Sequence, residues 1–178
     1  IIAFQFTEIA KQALPLGLQR VKLTGGEPFL HPEATDLINE LHKLNLVLSI
    51  ETNGTLIGAK EAETLAETKT TAAVSLDGPD AETHEHLRVV EGCFEDALRG
   101  IRHLKDAGVR YQIISCLHRG NVDMLLEMVK FAAELGANSI KINPTTPTAR
   151  AKEMDENDEL LSVREVLAAR DKLFSELT

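Results

Sequence analysis

The most constraining feature of this chain is a repeated alternation between short apolar stretches and amphipathic stretches with helical spacing. The strand-like stretches are RVKLTGG, LVLSIETNG, TAAVSLDG, VRYQIISCL and ANSIKIN. They recur at intervals of roughly 25 to 35 residues, a spacing typical of βαβ units. Strands joined by helices in this way build right-handed crossovers around a parallel sheet. The pattern therefore predicts an α/β fold in one domain, residues 1–178, whose apolar strands have both faces covered.

The stretches between the strands predict helices with one apolar face. The first of them places four apolar residues on one side, namely Leu37, Ile38, Leu41 and Leu44. The helix before the last strand is expected to begin with Asn121 as its N-cap and to end at Gly136. The chain itself opens on IIAFQFTEIA, which reads as part of a helix.

Charge and cysteine content limit the partners of the chain. It has 178 residues and a formal net charge of -9, which disfavours nucleic acid and anionic membranes, since phosphate binding requires clustered cations. No apolar run approaches the roughly 20 residues needed to span a bilayer. The two cysteines, Cys93 and Cys116, lie too far apart for a short-spaced metal motif and are interpreted as buried apolar residues. These features predict a cytoplasmic protein.

Polar residues follow each predicted strand, where parallel sheets bind ligands. These residues are Thr24–Pro28, Glu51–Gly54, Ser75–Gly78, Ser115 and Cys116 with His118 and Arg119, and Asn143–Pro144. Five polar strand ends predict a pocket for a ligand with an amine, hydroxyls and a heterocycle.

Each of these positions also has an ordinary structural explanation. The Asn53-Gly54 and Asp77-Gly78 pairs are common in turns. Glu27 before Pro28 is equally compatible with the start of a helix, where an acid is favoured. Arg88 is compatible with a solvated charge. The histidines without metal-ligand spacing are interpreted as surface or loop residues, namely His31, His84, His86 and His118.

Four stretches in this order resemble the radical S-adenosylmethionine (radical SAM) superfamily: TGGEPFLHPE, ETNGT, VSLDGPDAETHEHLRVVEGCFEDALRGIRHLKDAG and IKINPTTPTARAK. The similarity is greatest to the branch of peptide-maturation, haem-biosynthesis and molybdopterin-biosynthesis enzymes. It covers roughly residues 8–152 and leaves a loop and a C-terminal helix at 153–178. It implies a partial parallel (β/α)6 TIM-like barrel.

The resemblance also implies a site for S-adenosylmethionine. Gly25, Gly26 and Glu27, followed by Pro28, match the segment that binds its amino group. Neighbouring strand ends supply further matches. They are Thr52 and Asn53 near the ligand, Ser75 and Asp77 at the ribose, Arg88 at the methionine carboxylate, and Asn143 and Pro144 at the adenine. When complete, such an enzyme uses a 4Fe-4S cluster to cleave S-adenosylmethionine to a 5'-deoxyadenosyl radical and modifies a peptide or haem-type precursor.

The chain departs from the family in its cysteines. The C-x-x-x-C-x-x-C motif that holds the cluster does not occur, and Cys93 and Cys116 match neither its place nor its spacing. We therefore expect a truncated core without the cluster loop and the first barrel strand, inactive by itself. The open edge beside VKLTGG is expected to favour self-association.

Two other functions remain open from the sequence. The first is a cluster-free binding or scaffold protein that keeps the fold. The second is an ordinary barrel lyase or aldolase, which would need an activated lysine. Lys22 and Lys141 lie within strands, but no acid–base partner is spaced along the sequence to activate either.

Overall fold

The structure, a computed structural model, describes residues 3–147 and 151–177. Residues 148–150, near the end of the stretch IKINPTTPTARAK, lie outside the described residues. The strands are β1 (Arg20–Leu23), β2 (Val47–Thr52), β3 (Thr71–Ser75), β4 (Tyr111–Leu117) and β5 (Ser139–Pro144). The helices are α1 (Ala3–Ala13), α2 (Ala34–Lys43), α3 (Ala59–Glu67), α4 (Ala81–Arg88), α5 (Cys93–Asp106), α6 (Leu125–Leu135), α7 (Ala151–Glu156) and α8 (Val163–Leu177). Short 3₁₀ turns include Pro28–Leu30 and Val122–Met124.

The strands follow one another in the order β1-β2-β3-β4-β5. This confirms the predicted α/β class with a parallel sheet. The contacts divide the chain into two compact units. The first contains the described residues up to Ser75 together with Glu95–Gln112. The second contains Leu76–Phe94 and the described residues from Ile113 onwards. Whether the chain behaves as one domain stays a prediction.

The first unit is built on β1, β2 and β3, which pair in parallel. Arg20 aligns with Val47 and Leu23 with Ile50, while Thr52 aligns with Val74. One face of these strands is buried, and α2 packs on β2. The core of this unit includes Ile38, Leu41, Leu48, Ile50, Leu65, Val74, Ile101 and Leu104.

The other face of these three strands, called the open face below, consists of Arg20, Lys22, Val47, Ser49, Glu51, Thr71, Ala73 and Ser75. Along β2 and β3, every second side chain is buried, and the side chains between them are half-buried or exposed. The expectation that both faces are covered is therefore wrong for this unit. Side chains alternate across a strand, so one face is apolar and buried, and the other carries mainly polar residues.

A contact between two glycines fixes the turn after β2 against α5. Gly54 adopts φ +81, and an ideal Cβ on Gly100 would lie 2.1 Å from the Gly54 carbonyl oxygen. No residue with a side chain fits at position 100 without moving this backbone. The close approach holds the residues at the carboxyl end of β2 in place.

The second unit places β4, β5, α6 and α8 together with α4. Phe94 stacks on Phe131 with ring centroids 6.1 Å apart, and Leu117, Leu125 and Met128 are buried. Helix α6 ends at Gly136, as predicted. Asn121 is the N-cap of the 3₁₀ turn Val122–Met124 that precedes α6, as predicted by position, but its side chain forms no capping hydrogen bond. Over the described ranges, no helix is long and apolar enough to cross a membrane.

Candidate functional site

The first unit holds a hydrogen-bonded carboxylate at the end of β1. Glu27 Oε1 accepts from Thr52 Oγ1 at 2.7 Å, and Oε2 accepts from the Asn53 N–H at 2.7 Å. Oε1 also accepts from the Phe29 N–H at 3.2 Å. The chain reverses before Glu27 through Gly25, whose φ of +142 is rarely adopted by other residues. Glu27 therefore ties together the carboxyl ends of β1 and β2.

Glu27 has a local role in addition to this one. It precedes the 3₁₀ turn Pro28–Leu30 and caps it through Phe29, with Pro28 in the first turn. The alternative interpretation, in which Glu27 is an acid at the start of a helix, is therefore correct for the 3₁₀ turn. It does not explain the two shortest hydrogen bonds, whose donors lie 25 and 26 residues further along the chain.

The space beside the two glycines is open. An ideal Cβ on Gly25 or Gly26 meets no protein atom within 4 Å, and both residues are exposed. A ligand can therefore approach the backbone closely at this point. The half-buried Glu27 carboxylate lies next to it in sequence, so a cation can reach both the carboxylate and the neighbouring carbonyls. The residues present thus fit the ammonium group of S-adenosylmethionine.

Thr52 and Asn53 hold this carboxylate rather than acting independently. The buried Thr52 hydroxyl donates to Glu27 and accepts from the Gly54 N–H at 3.0 Å. The Asn53 Oδ1 accepts from the Thr55 N–H and hydroxyl, each at 2.9 Å. This is an Asx turn, so Asn53-Gly54 does form the turn that its sequence allows. The turn aims the Asn53 N–H at Glu27.

Sequence reasoning missed an ion pair on the open face. Lys22 Nζ pairs with Glu51 Oε1, and Thr24 Oγ1 donates to Glu51 Oε2 at 3.3 Å. Lys22 therefore has an acidic partner that its spacing along the sequence does not indicate. The register of β1 on β2 creates the pair, because Lys22 aligns with Ser49 and Glu51 is the next residue on that face.

Ser75 ends β3 on the same open face. It is half-buried, and Ala73, the residue before it on that face, aligns with Glu51. Its position at the carboxyl end of β3 agrees with the sequence expectation.

The second unit has its own polar centre at Asp77. The carboxylate is completely buried; Oδ2 accepts from Arg88 Nε at 2.6 Å, and Oδ1 accepts from the Cys116 N–H at 2.8 Å. The Asp77 N–H donates to His84 Nδ1 at 3.0 Å, and its carbonyl accepts from Asn121 Nδ2 at 2.8 Å. All four polar positions of this residue are used within the protein.

This network changes the interpretation of several residues. Arg88 is paired and only 27% exposed, so it is not a freely solvated charge. Because the Asp77 carboxylate is fully buried, this residue is better suited to positioning Arg88 than to contacting ribose directly. Asn121, unexplained as a cap, instead links Asp77 to the Cys116 carbonyl. Asn143 is half-buried and Pro144 exposed at the end of β5.

Two histidines interpreted as surface or loop residues are in fact buried. His84 is 2% exposed and His118 is 0% exposed. Burial lowers the pKa of His84, against the opposing Asp77 charge, and burial also lowers the pKa of His118, aided by nearby His86. Both rings are therefore favoured in the neutral form. Their Nδ1 atoms accept backbone N–H groups, from Asp77 and Gly120 respectively.

The described part of the chain does not fit an iron–sulfur cluster. In it, no group of three or more histidine, cysteine, aspartate or glutamate residues is arranged to hold a metal ion. Cys93 is buried and Cys116 half-buried. Burial raises the pKa of both thiols, whereas cluster ligands are thiolates.

The family model for the radical SAM superfamily matches residues 5–132. An AdoMet-dependent heme synthase of Oleidesulfovibrio alaskensis is 36% identical over 132 residues, which are 74% of this chain and 34% of that protein. A PqqA peptide cyclase of Streptomyces rochei is 31% identical over 142 residues, 79% of this chain and 39% of that protein. The chain thus spans little more than a third of the curated relatives it matches.

Solved structures share the fold. The crystal structure of Streptococcus suis SuiB bound to S-adenosylmethionine superimposes with a TM-score of 0.82 at 19% identity, over 99% of this chain and 41% of SuiB. Native anSMEcpe with bound AdoMet and a Cp18Cys peptide gives a TM-score of 0.72 at 21% identity, over 88% of this chain and 46% of that one. Both similarities extend over most of the present chain.

Proposed function

This chain belongs to the radical SAM superfamily, and we propose that it is the core of an enzyme that binds the ammonium group of S-adenosylmethionine in its first unit. In the complete enzyme, S-adenosylmethionine bound with a 4Fe-4S cluster supplies a 5'-deoxyadenosyl radical. The described residues do not form a cluster site, so their contribution is to bind and orient the organic cofactor.

The observation that carries this proposal is the Glu27 carboxylate, held by Thr52 and Asn53 beside open backbone. A carboxylate has about four lone-pair positions, and three protein donors occupy three of them. One position remains for an ammonium group. The two strand ends hold the carboxylate rigidly, so little conformational entropy is lost when the ligand binds. Gly25 and Gly26 leave room for the ligand, and Pro28 restricts the turn that follows.

The remaining assignments follow the resemblance. We propose that Ser75 contacts the ribose from the end of β3. For the second unit, the contacts of Arg88 with the methionine carboxylate, and of Asn143 and Pro144 with the adenine, stay predictions. Asp77 is proposed to act through Arg88, since its own carboxylate is completely buried and each of its oxygens accepts a hydrogen bond within the protein.

We propose a haem-type, carboxylate-bearing tetrapyrrole precursor as the substrate. Support comes from the AdoMet-dependent heme synthases of Oleidesulfovibrio alaskensis and Nitratidesulfovibrio vulgaris, which are 36% and 34% identical over 74% and 80% of this chain. A peptide is the second candidate, favoured by the similarity to PqqA peptide cyclase. The third possibility is a cluster-free protein that binds S-adenosylmethionine without radical chemistry.

Calorimetric titration of the chain with S-adenosylmethionine tests the cofactor site. Glu27→Ala is expected to weaken binding at least tenfold, because an ammonium–carboxylate contact is lost. Affinity for 5'-methylthioadenosine, which lacks the amino-acid part, should be the same in both proteins. Glu40→Ala, an exposed acid on α2, serves as the matched control.

Equal affinity of Glu27→Ala and the unchanged chain for S-adenosylmethionine would refute the assignment of the amine site. A parallel loss for 5'-methylthioadenosine would show a folding defect instead of a lost contact. The absence of measurable binding by the unchanged chain would refute the proposal that these residues form the site by themselves.

A further inference from the structure

His118, the residue after β4, is a buried side chain with an unpaired nitrogen. Among the described residues, the buried side-chain nitrogen and oxygen atoms without a hydrogen-bond partner are Ser115 Oγ, His118 Nε2 and Thr145 Oγ1. His118 Nδ1 accepts from the Gly120 N–H at 3.2 Å, so the proton of the neutral ring lies on Nε2. The ring is thus a buried donor without an acceptor, and such a donor destabilises the arrangement that encloses it.

This donor lies at the end of the sheet where parallel strands bind ligands. His118 directly follows β4, and the N–H of Thr145, just after β5, donates to the Leu117 carbonyl oxygen at 2.9 Å. The unpaired Thr145 hydroxyl therefore belongs to a residue at the same edge. Within the described part of the second unit, two strands thus end in polar groups that lack partners.

The His118 ring is covered by a second histidine. His86, on α4, stacks on His118 with ring centroids 6.0 Å apart and an angle of 26° between the ring planes. His86 Nε2 lies 3.2 Å from Glu159 Oε2, and Glu159 belongs to the loop between α7 and α8. His86 and residues 158–160 of this loop are called the lid below.

Arg119 attaches the loop part of the lid to the end of β4. Its backbone N–H donates to the Glu159 carbonyl oxygen at 2.8 Å. Its guanidinium group donates to the carbonyl oxygens of Asp158 and Leu160 at 2.8 and 3.1 Å, and to the Glu165 carboxylate at 2.6 Å.

The guanidinium attachments of the lid lie at the protein surface. Arg119 is 42% exposed and Glu165 40% exposed. Charged contacts with this exposure contribute little to stability, because water competes for both groups and salt screens them. The lid is therefore held closed by weak interactions above a donor whose burial is unfavourable.

We propose that this lid opens over His118 while the rest of the second unit stays folded. Opening gives the Nε2–H the acceptor that it lacks in the closed state. In the open state the ring can donate to an oxygen or nitrogen acceptor of a ligand at the carboxyl end of β4. This inference concerns the second unit and does not depend on the cofactor site proposed for the first.

Modification of histidines by diethyl pyrocarbonate at low extents, read by peptide mass spectrometry, measures how accessible each ring is. In the unchanged chain, His118 is expected to react more slowly than exposed His42. It should react about tenfold or more faster than His84, which is buried in the same unit, because opening the lid relieves the unpaired donor only at His118.

Arg119→Ala removes the guanidinium attachments and should raise the His118 rate by about fivefold or more, without changing the His84 rate. Arg170→Ala, which removes an exposed arginine paired with Asp171 on α8, is the matched control and should behave like the unchanged chain. Glu165→Gln is a milder variant that weakens one attachment, and its His118 rate should lie between those of Arg119→Ala and the unchanged chain.

An unchanged His118 rate in both Arg119→Ala and Glu165→Gln would overturn the inference. A parallel rise of the His84 rate would do the same, because it would show that the whole unit loosens. Equal rates for the two buried histidines in the unchanged chain would also contradict a lid that opens by itself. Circular dichroism shows whether Arg119→Ala folds, and if it does not, Glu165→Gln decides the result.

Discussion

The carboxylate of Glu27 accepts a hydrogen bond from the backbone N–H of Asn53 at 2.7 Å and so joins the ends of two neighbouring parallel strands. The residue after the Gly-Gly pair is thus a structural tie and a candidate ligand at once. These two roles respond differently to substitution, and this difference can be measured.

Glu27→Gln is expected to cost about 1–2 kcal/mol of unfolding free energy, because the amide cannot accept from both Thr52 and Asn53 and leaves a half-buried N–H unpaired. Urea denaturation followed by circular dichroism measures this loss. Glu40→Gln, on the exposed surface of α2, should change stability by less than about 0.5 kcal/mol. A Glu27→Gln protein as stable as the unchanged chain would contradict the tie between the strands.

Gly100→Ala is expected to destabilise the chain by about 1–3 kcal/mol. Alanine normally stabilises a helix interior relative to glycine by about 0.5–1 kcal/mol, so the predicted sign is reversed. The reason is the contact of 2.1 Å between an added Cβ and the Gly54 carbonyl oxygen. Thermal and urea unfolding measure the effect. Gly26→Ala, where the added Cβ meets no protein atom, is the control and should leave stability nearly unchanged.

Asp77→Ala is expected to cost about 3–5 kcal/mol, since it leaves the partly buried Arg88 without its partner and the Cys116 N–H unpaired. The exposed pair between Arg99 and Asp96 provides the comparison, and Asp96→Ala should cost less than about 1 kcal/mol. Denaturation curves of the two variants measure the difference. Similar losses for both would show that the Asp77 network is not a structural centre.

Stability is expected to fall as the pH decreases below about 6.5, the ordinary pKa of histidine in an unfolded chain. The pKa values of His84 and His118 are lowered in the folded protein by burial. The unfolded chain therefore binds protons at a pH where the folded protein does not, and each proton taken up favours unfolding. The contribution is complete above pH 6.5 and is lost as the pH falls towards the lowered values.

Urea denaturation between pH 7.5 and 5.5 measures this dependence. His118→Asn keeps an acceptor for the Gly120 N–H but does not titrate, so its stability should depend less on pH. His42→Asn changes an exposed histidine on α2 and should keep the full dependence. Identical pH profiles for the unchanged chain and His118→Asn would rule out His118 as a source of the effect.

Reconstitution with iron and sulfide under reducing conditions is expected to leave this chain without the broad visible absorbance of a 4Fe-4S cluster. The described residues lack a suitable ligand group, and burial raises the pKa of both thiols. Reductive cleavage of S-adenosylmethionine by the pure chain should be undetectable for the same reason. Stoichiometric cluster formation that persists in Cys93→Ala and in Cys116→Ala would contradict this expectation.

Much of the fold could be predicted from local patterns. The alternation of strand-like and helical stretches, with glycines at their ends, identified five strands and three of the four buried residues of α2, Leu37, Ile38 and Leu41. Leu44, also predicted on that face, is the half-buried C-cap of the helix. Burial was harder to predict. His84 and His118 lack metal-ligand spacing and are therefore interpreted from the sequence as surface or loop residues, yet the fold buries both. The position of Asn121 before a helical stretch suggests a side-chain cap, but position alone does not show that its amide donates to the carbonyls of Asp77 and Cys116.

What the sequence by itself determined is the parallel α/β class, the Gly25-Gly26-Glu27 segment at the end of β1, and the superfamily to which the chain belongs. These depend on local spacing and on motifs that are contiguous in the chain. Tertiary structure decided which partners the charges have: Glu27 with Asn53, Lys22 with Glu51, and Asp77 with Arg88. Strand register and helix packing set those distances, and both result from the burial of many apolar side chains together, which no short stretch of sequence specifies.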